Sequence, residues 1–269
     1  MKNGGRKMLE IKNVSVIFNK DTINERRALD NVSLVLNDGD FVSVIGSNGA
    51  GKSTLLNAIA GNVTVDSGKI YNNGYDMTYE KEHKRSKYIG RLFQDPLKGT
   101  APSMTIEENL GLAYSRGKKM RMGFGVRKSD RPFFKKECEK LGLGLEHRLK
   151  APVGLLSGGQ RQALTLLMAT IETPELLLLD EHTAALDPKT SKQIMEITDK
   201  IVKENNITTL MITHNIKNAL RYGNKTLVMS NGKIIKILEG ESRKNMSIQD
   251  ILDLYSQNAD SLSDSAILG

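Results

Sequence analysis

The stretch Gly46-Ser47-Asn48-Gly49-Ala50-Gly51-Lys52-Ser53-Thr54 has the residue types and spacing that hold a chain of phosphates. Glycines at 46, 49 and 51 let the backbone turn its N–H groups inward around phosphate oxygens, and a helix opening at the end of the loop adds the positive end of its dipole. Lys52 is placed to reach the β and γ phosphates, and Ser53 to ligate Mg²⁺. Far downstream, Asp180 and Glu181 put two carboxylates side by side. Asp180 suits Mg²⁺ held through water, and Glu181 suits polarising an attacking water. Between these motifs stands Leu156-Ser157-Gly158-Gly159-Gln160, a third element in a fixed order.

Those groups need elements to aim them. The apolar run Phe41-Val42-Ser43-Val44-Ile45 reads as a buried strand ending at the phosphate loop, and Leu55, Leu56, Ile59 and Ala60 share one face of the next helix, with Gly61 as its stop. Leu176 to Leu179, after Pro174, suits a central parallel strand buried on both faces. Carboxylates at the C-terminal end of such a strand project into the crevice where open α/β sheets bind ligands. Leu9 to Phe18 alternates as a strand, and Val32, Leu34 and Leu36 before Asn37-Asp38-Gly39 predict a second, antiparallel one. From about 95 to 160 the pattern turns helical, with Thr105-Ile106-Glu107-Glu108-Asn109-Leu110 as a helix start. Leu164, Leu167, Met168 and Ile171 share a face until Thr173-Pro174, and Ile194, Ile197 and Ile201 repeat the pattern. Asn231-Gly232 predicts a hairpin, and the polar tail beyond 256 reads as loosely ordered.

Composition narrows the classes. The 269 residues suffice for one large domain, and no apolar run approaches the ~18 residues that span a bilayer. The N-terminus, Met1-Lys2-Asn3-Gly4-Gly5-Arg6-Lys7, has no apolar signal region, so export is not expected. One cysteine, Cys138, fits a reducing cytosol and an inert thiol. The net charge of +8 concentrates at Arg116-Gly117-Lys118-Lys119-Met120-Arg121 and Arg127-Lys128, open to a solvated surface or to anionic lipid headgroups. Sparse aromatics, not interleaved with the basic residues, leave no stacking platform for nucleic acid.

With the three motifs in this order, the chain resembles the ATP-binding cassette family over nearly its whole length. The resemblance implies an α/β fold: a P-loop NTPase core with a mostly parallel sheet, an N-terminal antiparallel β subdomain and an inserted α-helical subdomain. As a single nucleotide-binding domain, residues 1–94 would form the β subdomain and phosphate-loop half of the core, 95–160 the helical subdomain with the signature, 161–256 the rest of the core and 257–269 a tail. It implies ATP and Mg²⁺ as cofactors. Gln94 matches the glutamine loop that senses the γ-phosphate and joins Ser53 and Asp180 as a metal ligand. Asp187, in Ala185-Leu186-Asp187, matches the loop that crosses the dimer interface, and His214 the switch histidine on the γ-phosphate. The signature, Ser157 and Gly159 above all, with Gly158 and Gln160, closes in trans onto ATP in the other copy's phosphate loop. Phe18 stands where the family has an adenine-stacking tyrosine, though on pattern alone a strand-terminal aromatic is more often core. His182 departs from the family's proline after the catalytic glutamate, freeing φ and restoring an N–H, and reads as a tolerated substitution. His83 and His147, in charged stretches, read as surface residues.

The same head serves transporters, translation factors and DNA-repair proteins. One motif set excludes the two-cassette translation factors, and the lack of sustained heptads between Lys52 and Ser157 excludes the coiled-coil repair proteins. The expected role is the ATPase of a bacterial importer, a nucleotide-sandwich homodimer at the cytoplasmic face of the plasma membrane under separate permease subunits, with an extracytoplasmic binding lipoprotein. Lys150-Ala151-Pro152-Val153-Gly154-Leu155 before the signature, in place of the exporters' acidic-glycine stretch, supports import. The chain looks similar to uptake ATPases with branched-chain-amino-acid-type permeases, some tied to aromatic amino acids. An exporter or membrane-extraction ATPase is the alternative, a non-transport ATPase the third.

Overall fold

A computed structural model describes residues 6–116 and 126–255. The basic cluster past Arg116 and the tail beyond 256 lie outside them. The chain divides into two compact units, Met1–Glu82 with Leu210–Gly269, and His83–Thr209.

The first unit opens with β1 (Lys7–Phe18) and β2 (Arg26–Asn37), an antiparallel pair whose alternating burial matches the sequence pattern. Next come β3 (Phe41–Gly46), α1 (Lys52–Ala60), β4 (Ser67–Asn72) and β5 (Tyr75–Asp76). The order β2-β1-β4-β5 makes the expected antiparallel sheet. The second unit carries α2 (Glu82–Arg85) at its edge, then β6 (Ile89–Leu92), α3 (Ile106–Tyr114), α4 (Arg131–Glu139), α5 (Gly158–Thr170), β7 (Leu176–Asp180) and α6 (Pro188–Glu204). Its strands β6 and β7 pair in parallel, Leu92 opposite Leu179. The chain returns through β8 (Thr208–Ile212), α7 (Ile216–Arg221), β9 (Lys225–Ser230), β10 (Lys233–Glu239) and α8 (Gly240–Lys244), with residues 248–255 helical.

In the first unit β3 is buried at every residue and runs parallel to β9, Gly46 opposite Met229. Asp40 pins that register: its carboxylate accepts from Asn224 Nδ2 at 2.7 Å and from Lys225 Nζ at 2.8 Å, while Asn224 Oδ1 accepts from Phe41 N. The Asn231-Gly232 turn, φ 48° and 75°, has the double positive φ of a type I′ hairpin. The second unit is built around Ile106, Leu110, Phe134, Cys138, Leu164 and Ile194. Burial pushes the Cys138 thiol up to about 12, as suits an inert side chain. The helix start predicted at Thr105 forms there, and Thr105 caps α3 with Glu108 in a reciprocal box. Among the described residues no helix is long and apolar enough to cross a membrane.

Candidate functional site

The first unit builds the phosphate loop. Strand β3 stops at Gly46, and α1 opens at Lys52 with no side-chain cap and no acidic residue in its first turn, leaving the positive helix end unopposed. Lys52 Nζ donates to the carbonyls of Gly46 at 2.8 Å and Ser47 at 2.9 Å, which folds its stem across the loop. Ser47, Asn48, Gly49 and Ser53 are exposed, Thr54 half-buried, and Ala50 and Gly51 buried. The β9–β10 turn braces the loop from behind. Gly232 N donates to Ala50 O at 3.1 Å, and Gly232 O accepts from Asp30 N at 2.9 Å. The sequence signals that hairpin but not its target, because the contact spans most of the chain. Phe18 ends β1 with 40% of its surface exposed, so the core option that the sequence leaves open does not hold. His214 is exposed just past β8, where Thr213 N donates to Val44 O at 3.2 Å.

The second unit holds the signature and the carboxylates. Ser157 caps α5: its hydroxyl accepts from Gln160 N at 3.2 Å, and Gln160 Oε1 accepts from Ser157 N at 3.3 Å. Gln160 also donates to Leu143 O, anchoring the cap. The two glycines differ. Gly158 is exposed, whereas a Cβ on Gly159 would lie 2.4 Å from Thr190 Cγ2, so Gly159 lets α5 approach α6. Asp187 caps α6 by accepting from the amides of Lys189 and Thr190, both at 3.1 Å. The bonds from Thr190, side chain first, hold its carboxyl below the usual range. The signature and the Asp187 loop therefore meet, while exposed Gln94 lies just past β6. Asp180 ends β7 half-buried, and Glu181 after it is half-buried with φ 48°. His83 and His147 are exposed.

His182 proves to be a structural anchor. It is 2% exposed, with Nε2 3.2 Å from Thr198 Oγ on α6. The Thr198 hydroxyl spends its proton on Ile194 O at 2.8 Å, so His182 is the donor and carries its proton on Nε2. Burial lowers its pKa from 6.5 to about 4, keeping the ring neutral. Below the unfolded value the unfolded chain takes up a proton that the fold refuses. This residue's stabilisation is thus complete above pH 6.5 and lost as pH falls through about 4. We expect the wild-type unfolding free energy to fall by about 3 kcal/mol more than that of His182→Gln between pH 7 and pH 4, in urea titrations. Parallel pH profiles of the two proteins would refute the buried neutral ring.

Comparisons with known proteins agree with this geometry. A family model described as ABC transporter matches residues 29–184. The chain is 44% identical over 248 residues to a tyrosine transport ATP-binding protein of Clostridioides difficile strain R20291, covering 92% of this chain and 98% of the relative. It is 30% identical over 262 residues to a methionine import ATP-binding protein, MetN, of Streptococcus agalactiae serotype III strain NEM316, covering 95% and 67%. Among solved structures, the ADP conformation of an ATP-binding cassette of an ABC transporter superposes with a TM-score of 0.74 at 28% identity, covering 94% of this chain and 97% of that one. A dimeric post-hydrolysis cassette bound to ADP and Pi gives 0.73 at 28%, covering 86% and 98%. With a phosphate loop on one unit and a capped signature helix on the other, this chain belongs to the ABC transporter family as an ATP-binding ATPase subunit.

Proposed function

We propose that this subunit hydrolyses MgATP in a homodimer at the cytoplasmic face of the bacterial membrane and drives uptake of an amino acid, tyrosine or one of similar chemistry, through separate permease subunits fed by an extracytoplasmic binding lipoprotein. The observation that carries this reading is the 44% identity that runs through 98% of a tyrosine transport ATP-binding protein.

The proposed chemistry rests on the residues in place. Backbone N–H groups of the Gly46–Thr54 loop and the Lys52 ammonium bind the phosphates. The donors offered to Mg²⁺ are the Ser53 hydroxyl, the Gln94 amide oxygen and the Asp180 carboxylate. They are hard oxygens, and they fit a metal that keeps several waters and leans on substrate phosphates. Bound Mg²⁺ neutralises charge developing on the phosphate oxygens. Glu181 takes up proton density from the attacking water, and His214 steadies the γ-phosphate by donating a hydrogen bond. Ser157, Gly158, Gly159 and Gln160 present the positive end of α5, whose first turn also lacks acidic residues, to the ATP of the other copy. Asp187 lies beside that contact.

Replacing the chromosomal copy with Lys52→Ala and following labelled tyrosine uptake tests the assignment. Loss of tyrosine uptake is expected. Unchanged tyrosine uptake with lost methionine uptake would move the cargo to that of the methionine relative, and unchanged uptake of both would reject amino acid import.

A further inference from the structure

We propose that Arg26 is a nucleotide-binding residue whose guanidinium contacts the α-phosphate of ATP. Arg26 opens β2 and lies exposed beside the phosphate loop, where its Nη2 donates to Gly49 O at 3.0 Å. The approach is close: a Cβ on Gly49, where φ is 81°, would fall 2.8 Å from the same Nη2. The positive φ favours glycine there, and the short approach shows how near the guanidinium lies to the loop backbone.

The ladder supplies the second observation. Arg26 is the cross-strand partner of Phe18 in the antiparallel β1–β2 pair. Directly opposite residues put their side chains on the same face, with Cβ atoms ~5 Å apart. The proposed base-stacking ring and the guanidinium are thus neighbours on one surface, and the guanidinium is joined to the loop by its bond to Gly49. A nucleotide with its base on Phe18 and its terminal phosphates at Lys52 passes Arg26 with the segment in between. That segment is the ribose and the α-phosphate, and only the phosphate is anionic. Arginine matches it because a guanidinium has five N–H donors in a planar fork, of which the bond to Gly49 uses one. The charge also adds to the field of the helix end at α1.

The inference rests on the phosphate-loop reading and on Phe18 as the base contact, so the experiment separates them. MgADP affinity is measured by calorimetry, and adenosine affinity by competition, for the wild type and for Arg26→Lys, Arg26→Gln, Phe18→Ala and Lys52→Ala. Arg26→Gln keeps an N–H donor for Gly49 O and removes the charge. It is expected to weaken MgADP about tenfold, leave adenosine unchanged and flatten the salt dependence of MgADP binding. Arg26→Lys is expected to recover most of the loss. Phe18→Ala is expected to weaken both ligands alike. Wild-type MgADP affinity in Arg26→Gln would overturn the proposal, as would equal losses for MgADP and adenosine, which would place Arg26 at the base, or a loss for MgADP with the wild-type salt dependence, which would make Arg26 a brace for the loop. An unaffected Lys52→Ala would instead overturn the phosphate-loop reading.

Discussion

Glu181→Gln is expected to cut steady-state ATP hydrolysis by about 10²- to 10⁴-fold while leaving MgATP binding near the wild-type level. The substitution keeps the side chain's size and replaces a proton acceptor by an amide that cannot take the water's proton. Binding is expected to survive because the phosphate loop, from Gly46 to Thr54, is a self-contained turn held by Lys52 and braced by Gly232. The geometry that suits Glu181 to the proposed role of base is local. Its backbone adopts φ 48° between the end of β7 and buried His182, so the strand delivers the carboxylate and the His182–Thr198 bond fixes the chain just beyond it. A variant that binds ATP without consuming it accumulates in the nucleotide-loaded state. Size-exclusion chromatography of Glu181→Gln with MgATP is therefore expected to show a dimer that the wild type holds only transiently. Wild-type turnover in this variant would remove Glu181 from the role of base.

Much of the site is legible in the chain because it is local. A buried apolar strand running into Gly46–Thr54 and the Asn231-Gly232 turn are each decided within a few residues and form where the sequence predicts, and the Ser157–Gln160 cap is equally local. The long-range contacts are not legible. Nothing near His182 announces that its ring reaches Thr198 on the next helix, and nothing near Arg26 announces Gly49. Gly159 reads as one more signature residue until α6 brings Thr190 against it. Phe18 stays between core and surface in the sequence because a strand-terminal aromatic fits both, and only the packing around β1 and β2 exposes it. Strand register and helix packing decide these contacts, and a single sequence does not reveal them.

The largest rescue is expected from two dead proteins. Lys52→Ala removes the cation proposed to hold the phosphates, and Ser157→Arg removes the cap of α5 and sets a cation on its positive end. Each homodimer is expected to be inactive, because every composite site of a two-fold dimer then contains the defect. Mixing them changes the arithmetic. In a heterodimer, the Ser157→Arg copy supplies an intact phosphate loop that meets the intact signature of the Lys52→Ala copy, while the second site carries both defects. Equal mixing of freely exchanging subunits makes half of the dimers mixed, so an ATPase rate of about a quarter of wild type is expected if the two sites fire independently. A lower recovered rate would measure their coupling. The result also tests what the exposed cap implies. Ser157 and Gly158 stay exposed at the surface of their own chain, so the positive end of α5 is available to a phosphate from outside it. No recovery, with each variant folded and mixed dimers confirmed by differential tagging, would mean that the signature serves the phosphate loop of its own copy.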